Sequence, residues 1–225
     1  MKAIIFDSGV LITLSMNSLL EILKDLKKTF SGKFLITREV ENESVIRPMQ
    51  IKKYKLGAMR IKSLINEKII EFPDSLNISD KEIDSKTKEI LNYSNSMLQT
   101  KKRPIHLIES GEASCLALSS TLFDKGIDNV IAIDERTTRM IIEKPENLRI
   151  LMEDKLHTPI ELKLENKNQF KNINFIRSTE LIYVAYKKNL IKNSSKDMLD
   201  AMLYGAKYKG CSISYEEIKQ IEKMD

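Results

Sequence analysis

Short unbroken apolar runs alternate along this chain with apolar residues spaced three and four apart. Ala3-Ile4-Ile5-Phe6, Phe34-Leu35-Ile36 and Val130-Ile131-Ala132-Ile133 are of the first kind. Runs this short, bounded by polar and turn residues, predict strands buried on both faces, as in a parallel sheet. Helical spacing begins at Leu19, Leu20, Ile22, Leu23 and Leu26, and Ser31-Gly32 ends that segment. Thr37 is placed to cap a helix through Val40 and Glu43, and Pro48 marks the next boundary. Ile51, Leu56, Met59, Ile61 and Leu64 predict a helix over about 49–66, and a mostly polar helical region follows over 77–99. Ser110 is the expected cap of a helix over 111–123, which Lys125-Gly126 terminates before a strand over 129–133 and a helix over 135–143.

Beyond Pro145 the pattern loosens into a helix over 148–156, a short strand over 160–164 and a polar linker over 165–172. A last strand over 174–176 and a helix over 179–188 restore the alternation. Two more helical segments follow, one with Met198, Met202 and Tyr204-Gly205, the other with Ile218 and Ile221, separated by Gly210. Strand-helix alternation of this kind predicts an α/β protein: a three-layer α/β/α fold with a central parallel sheet and additional C-terminal helices. The expected division is one domain over 1–190 with an insertion at about 145–172, and a C-terminal helical extension over 191–225 packed on the core.

The 225 residues suffice for one compact core. Lys+Arg 37 against Asp+Glu 32 leaves +5, which favours an anionic partner. No apolar run approaches the roughly 20 residues of a membrane span, and the chain enters a strand without a signal-peptide pattern, so the expectation is a cytoplasmic protein with no membrane partner. Cys115 and Cys211 stand alone, with His106 and His157 elsewhere, so both are expected as buried thiols rather than zinc ligands or a disulfide.

The chemistry concentrates in carboxylates. The run Ala3-Ile4-Ile5-Phe6 stops at Asp7 and Val130-Ile131-Ala132-Ile133 at Asp134, and open α/β sheets place their chemistry at the carboxyl ends of such strands. A turn or N-cap role explains either aspartate alone; their coincidence points to a site. In Thr37-Arg38-Glu39-Val40-Glu41-Asn42-Glu43, Glu39 falls in the first turn and Glu41 points to solvent. Glu43 shares the inward side with Val40, with Glu39 as the substitute. Glu112, in Ser110-Gly111-Glu112-Ala113-Ser114, also sits in a first turn where the helix dipole favours an acid, but its small neighbours permit close packing. Two like charges about 4 Å apart repel by about 4 kcal/mol at an effective dielectric of about 20, so four gathered acids imply a bound cation.

Arg47, Lys52, Lys53, Lys55, Arg60 and Lys62 follow with no acid among them, and Lys101-Lys102-Arg103 precedes the helix of Glu112. Such runs are either a solvated face or an electrostatic groove for a phosphodiester backbone. No aromatic RNA-recognition motif, zinc finger or P-loop accompanies them.

The segments IIFDSGVLI, VENE, GEASCLAL and IAIDERTTRM, with AYKKNLI and KGCSISYEEI in the tail, resemble the spaced acidic motifs of PIN domain ribonucleases. The resemblance covers most of the chain except 65–105 and 145–172. It implies a PIN-like fold, Mg²⁺ or Mn²⁺ held by Asp7, Glu43, Glu112 and Asp134 as the catalytic acids, and endonucleolytic hydrolysis of RNA. Ser8, Arg136 and Arg139 would then contact the metal-bound water or the strand, beside Arg47, Lys52, Lys53 and Lys55. Homodimerisation and an antitoxin-like protein inhibitor are partners the resemblance allows, although toxin-type members commonly carry aspartate where this chain has Glu112. Two rivals remain: a catalytically silent RNA-binding or assembly protein, and a haloacid dehalogenase-like phosphatase suggested by FDSGVL. The second needs an acid two residues after Asp7, where this chain has Gly9.

Overall fold

The computed structural model describes residues 1–164, 170, 172–192 and 195–224. β1 (Lys2–Phe6) leads into α1 (Ser8–Met16) and α2 (Glu21–Thr29), then β2 (Lys33–Leu35). α1 is absent from the sequence reading for a physical reason. Val10, Leu11, Thr13, Leu14 and Ser15 are all buried, and a helix apolar on every side shows no one-sided stripe.

Residues 38–49 form one continuous helical stretch: α3 (Arg38–Glu41), a π turn (Asn42–Ile46) and α4 (Arg47–Met49). Pro48 therefore lies inside the stretch rather than at its boundary. The wide turn ahead of it, in which the Arg47 N–H reaches back to Asn42 O, relieves the crowding a proline brings to a regular helix. α5 (Lys55–Asn66) begins six residues later than the spacing predicts. Its buried positions are Ala58, Ile61 and Leu64, while Ile51, Leu56 and Met59 face outward.

α6 (Asp80–Met97), capped by Ser79, runs directly into β3 (Leu98–Gln99). α7 (Ser110–Asp124) and β4 (Asp128–Ala132) follow, then α8 (Arg136–Glu143) and α9 (Pro145–Leu156). β5 (Glu161–Leu162) does not join the main sheet; it pairs antiparallel with β3, Leu98 opposite Leu162. The expected polar linker over 165–172 falls largely outside the described residues. β6 (Phe175–Ile176), α10 (Ser178–Lys187), α11 (Lys196–Tyr208) and α12 (Tyr215–Lys223) complete the chain.

The main sheet has the order β2-β1-β4-β6 with every pair parallel. Helices flank it, as the alternation predicts. α7 packs on β1 and β4, while α10 packs on α1 and α2. The order runs from β1 one way to β2, and the later strands add on the other side. The reversal lies between β1 and β4, the crevice where open α/β sheets bind ligands. The C-terminal helices are integral: Leu199, Met202, Leu203, Ala206, Ile218 and Ile221 belong to the same hydrophobic core as the strands.

Candidate metal centre

Pairing alone brings the two aspartates to one rim. Phe6 registers with Ala132, and the Asp7 N–H donates to Ala132 O at 2.9 Å. Asp7 is 4 % exposed and Asp134 2 %, so both carboxyl groups are cut off from bulk water. Asp7 accepts the Gly9 N–H through Oδ2 at 2.9 Å, which also makes it the N-cap of α1. Asp134 accepts the Ser178 N–H through Oδ1 at 2.8 Å. Their other oxygens, Asp7 Oδ1 and Asp134 Oδ2, are buried with no hydrogen-bond donor. A buried acceptor left this way is destabilising unless something else meets it.

Glu43 reaches the same rim from the π turn. Its Oε2 accepts the Ser8 hydroxyl at 2.8 Å and its Oε1 the Gly111 N–H at 3.1 Å. Gly111 leaves room for this placement of Glu43, because a Cβ at position 111 would overlap the Glu43 carboxylate and displace it. Glu39, the substitute from sequence, meets only the Ser110 hydroxyl, at 3.3 Å. Glu112 occupies the third position of α7 and accepts the Glu109 N–H at 2.5 Å. The cap of α7 is accordingly Glu109, not Ser110, which is the first helical residue. Ser8, expected to touch water or phosphate, instead braces Glu43.

The charges of these groups act on one another. Burial pushes Asp7 up to about 7; the Gly9 hydrogen bond opposes this, and the neighbouring charges of Glu43 and Asp134 add to it. Burial likewise pushes Glu112 up to about 8, against its hydrogen bond from Glu109 and with added repulsion from Asp7, Glu135 and Glu43. Asp7 is thus the acid that feels the field of each of the others or lends its own. Glu135 is a fifth acid in this field that the sequence reading passed over. It caps α8 by accepting the Thr138 N–H, and its place directly after Asp134 was the available signal.

The two thiols lie beneath the rim, buried as expected. Burial raises Cys115 well above the ordinary thiol range, with Asp7, Glu43 and Glu112 adding to it, and pushes Cys211 up to about 12 with a contribution from Asp134.

No cationic side chain is ion-paired with Asp7, Glu43, Glu112 or Asp134 among the described residues. Nor do any three His, Cys, Asp or Glu side chains among them stand close enough to hold a metal ion as they are oriented. Each carboxylate is turned to its own donor: Gly9, Ser8 with Gly111, Glu109, or Ser178. Like charges oriented in this way stay apart.

Arg47, Lys52, Lys53, Lys55, Arg60 and Lys62 are all exposed. Lys53 lies 5.1 Å from the centre of the Tyr54 ring, and Arg60 reaches Ser18 Oγ at 3.5 Å. The cluster Lys101, Lys102 and Arg103 sits in a turn that closes on β3, with Thr100 N–H donating to Arg103 O, so it belongs to the small sheet. Arg136 is exposed, whereas Arg139 is fixed by bonds to Glu135 O at 3.2 Å and Ser212 O at 3.0 Å. No helix among the described residues is long and apolar enough to cross a membrane. Comparison of the chain with family models, with curated proteins and with solved structures finds no match.

Proposed function

We propose that this protein is a metal-dependent ribonuclease that hydrolyses RNA phosphodiester bonds at the rim between β1 and β4. One observation carries the reading: two buried carboxylates, just past the ends of adjacent parallel strands, each keep an oxygen without a donor, with two glutamates beside them. A donor set made only of carboxylate oxygen suits hard cations, so the residues fit Mg²⁺ or Mn²⁺. Asp7, Glu43, Glu112 and Asp134 would hold the ion. When bound, it supplies an activated water and charge neutralisation at phosphorus.

The chain's own residues supply the rest. Ser8 and the Gly111 N–H orient Glu43. The Ser178 N–H orients Asp134 and leaves its second oxygen available. Asp7 is itself buried, and the Gly9 N–H orients its carboxylate and leaves its second oxygen without a donor. RNA as substrate rests on the unpaired cations of 47–62 and on the resemblance to PIN domain ribonucleases. A catalytically silent RNA-binding protein is the second reading, favoured by the carboxylates each being turned to its own donor, with no three of them close enough to share an ion.

The deciding assay incubates labelled single-stranded RNA with the protein and Mg²⁺ or Mn²⁺, with EDTA as control. Metal-dependent cleavage lost in Asp7→Asn with RNA binding kept supports the nuclease. Binding that is indifferent to EDTA, with no cleavage in any metal, supports the silent reading.

A further inference from the structure

A second feature of the rim lies on the far side of Asp134. A cavity of about 640 Å³ opens between α8, the start of α10, the end of α11 and the segment 211–217. Arg136, Arg139, Lys144, Arg177 and Lys207 line it. Arg177 is neutralised, bonded to Glu180 at 2.5 Å and Glu217 at 2.7 Å. The other four have no ion pair among the described residues, although Glu143 shares the lining and Lys207 acts on the charge of Glu216. Arg139 donates to Glu135 O and Ser212 O, and Lys207 donates to Ile213 O. Main-chain carbonyls hold a cation in place without cancelling its charge, and so pre-organise it for an anion. Arg136 and Lys144 are exposed and have no carboxylate partner among the described residues.

The wall of this cavity is continuous with the acidic rim. Ser212 N–H donates to Asp134 O at 2.9 Å, and Arg139 is bonded to the carbonyl of the next residue, Glu135. Tyr208 stands at the mouth, 66 % exposed, its hydroxyl 3.0 Å from that of Tyr215. An exposed ring beside fixed cations suits a nucleotide whose base is free to stack, which a duplex does not offer. A polyanion crossing the acids also needs compensating charge next to them.

Resting on the ribonuclease reading, we propose that this cavity is a nucleotide subsite, holding a phosphate and a base of single-stranded RNA beside the scissile position. Arg139 and Lys207 are its fixed phosphate contacts, Arg136 and Lys144 its outer ones, and Tyr208 its stacking face.

The test is fluorescence anisotropy of a labelled single-stranded oligoribonucleotide in EDTA, over a series of salt concentrations. Arg136→Gln with Lys144→Gln, both exposed and harmless to the fold, should flatten the dependence of log affinity on log salt by about 1.4, the value for two single-strand phosphate contacts. Tyr208→Ala should weaken binding about tenfold with the salt slope kept. Lys81→Gln with Lys88→Gln on α6 provides the equal loss of charge elsewhere. If the cavity pair behaves like that control and Tyr208→Ala binds as the parent does, the subsite is overturned, whether or not the protein cuts RNA. If the cavity variants lose binding while the parent cuts nothing in any metal, the subsite stands and the ribonuclease reading falls. AMP that binds the cavity without displacing the oligonucleotide overturns the assignment to the strand.

Discussion

On one side of Asp134, Asp7, Glu43 and Glu112 lie buried or half-buried with no cationic side chain ion-paired to any of them among the described residues. On the other, Arg136, Arg139, Lys144 and Lys207 line a cavity with no carboxylate ion-paired to them. Ser212 N–H to Asp134 O and Arg139 to Glu135 O join the two sides. The chain does pair opposite charges where that stabilises it. Arg177 with Glu180 and Glu217 is such a case, within the same cavity. The buried acids are left needing a cation, while the cavity, whose lining also includes Glu143 and Glu217, keeps four cations free of ion pairs and open to an anion. Folding stability alone does not favour that arrangement, because uncompensated buried charge is destabilising.

The sharpest break in the comparison is to remove charge from the acidic side. Asp7→Asn should reduce metal-dependent cleavage by about a hundredfold or more, since Asp7 is coupled to all three other acids. The same substitution should raise the melting temperature of the metal-free protein at neutral pH and abolish the rise that Mg²⁺ or Mn²⁺ gives the parent. A melting temperature that responds to metal equally in both would sink the proposed ligand role.

Next in size is the dependence of stability on pH. Folding raises Asp7 from 3.8 to about 7 and Glu112 from 4.5 to about 8. A carboxyl group whose folded pKa is raised favours the native state while protonated. Its contribution is full below about pH 4 and is lost as the pH rises through 7 to 8. Metal-free protein should therefore lose stability between pH 4 and 8 from these two groups, a loss of several kcal/mol. Added Mn²⁺ should flatten the decline, because an ion favours the charged forms. Urea midpoints measured with and without Mn²⁺ across that range decide it, and a metal-free midpoint rising towards pH 8 is the contrary result.

Much of this site is legible in the sequence because its determinants are local. A strand run ending in aspartate needs only its own residues, and pairing of β1 with β4 does the rest. Glu43 is reachable from its spacing to Val40, and Gly111 from the demand for close approach. What escapes the sequence depends on contacts between distant segments. α1 hides because it is buried on every side, and Pro48 misleads because a π turn, not a helix end, absorbs it. β5 is expected as a strand from its own residues, but its antiparallel pairing with β3 rests on only two residue pairs between distant segments and leaves no local signal. The cationic cavity is the clearest case. Arg136 and Arg139 stand out beside Asp134, but Lys207 is one lysine among many until the turn after α11 brings it against Ile213 O.

Gly111→Ala probes the steric side of the comparison. The added methyl would overlap the Glu43 carboxylate and displace it from the Ser8 hydroxyl. α7 itself should gain slightly in helix propensity, so the fold survives. Metal affinity should fall about tenfold to a hundredfold, the usual consequence of disturbing what orients a ligand. Isothermal titration with Mn²⁺ measures it, while RNA affinity in EDTA, set by the cationic side, should stay at the parent's value.

The smallest effect separates bracing from direct contact. Ser8→Ala removes a 2.8 Å hydrogen bond to Glu43 but leaves the Gly111 N–H on the same carboxylate. One hydrogen bond to a charged acceptor contributes about 1.5–3 kcal/mol at most, and Glu43 keeps its other donor, so Mn²⁺ affinity should weaken by about fivefold to tenfold. The pattern of loss carries the argument. If Ser8 acts through Glu43, then Ser8→Ala should have no further effect in a Glu43→Gln background, and saturating Mn²⁺ should restore the Ser8→Ala cleavage rate. A rate that stays low at saturating metal would move Ser8 from positioning the ligand to touching the reacting strand, and so extend the acidic side of the rim by one residue.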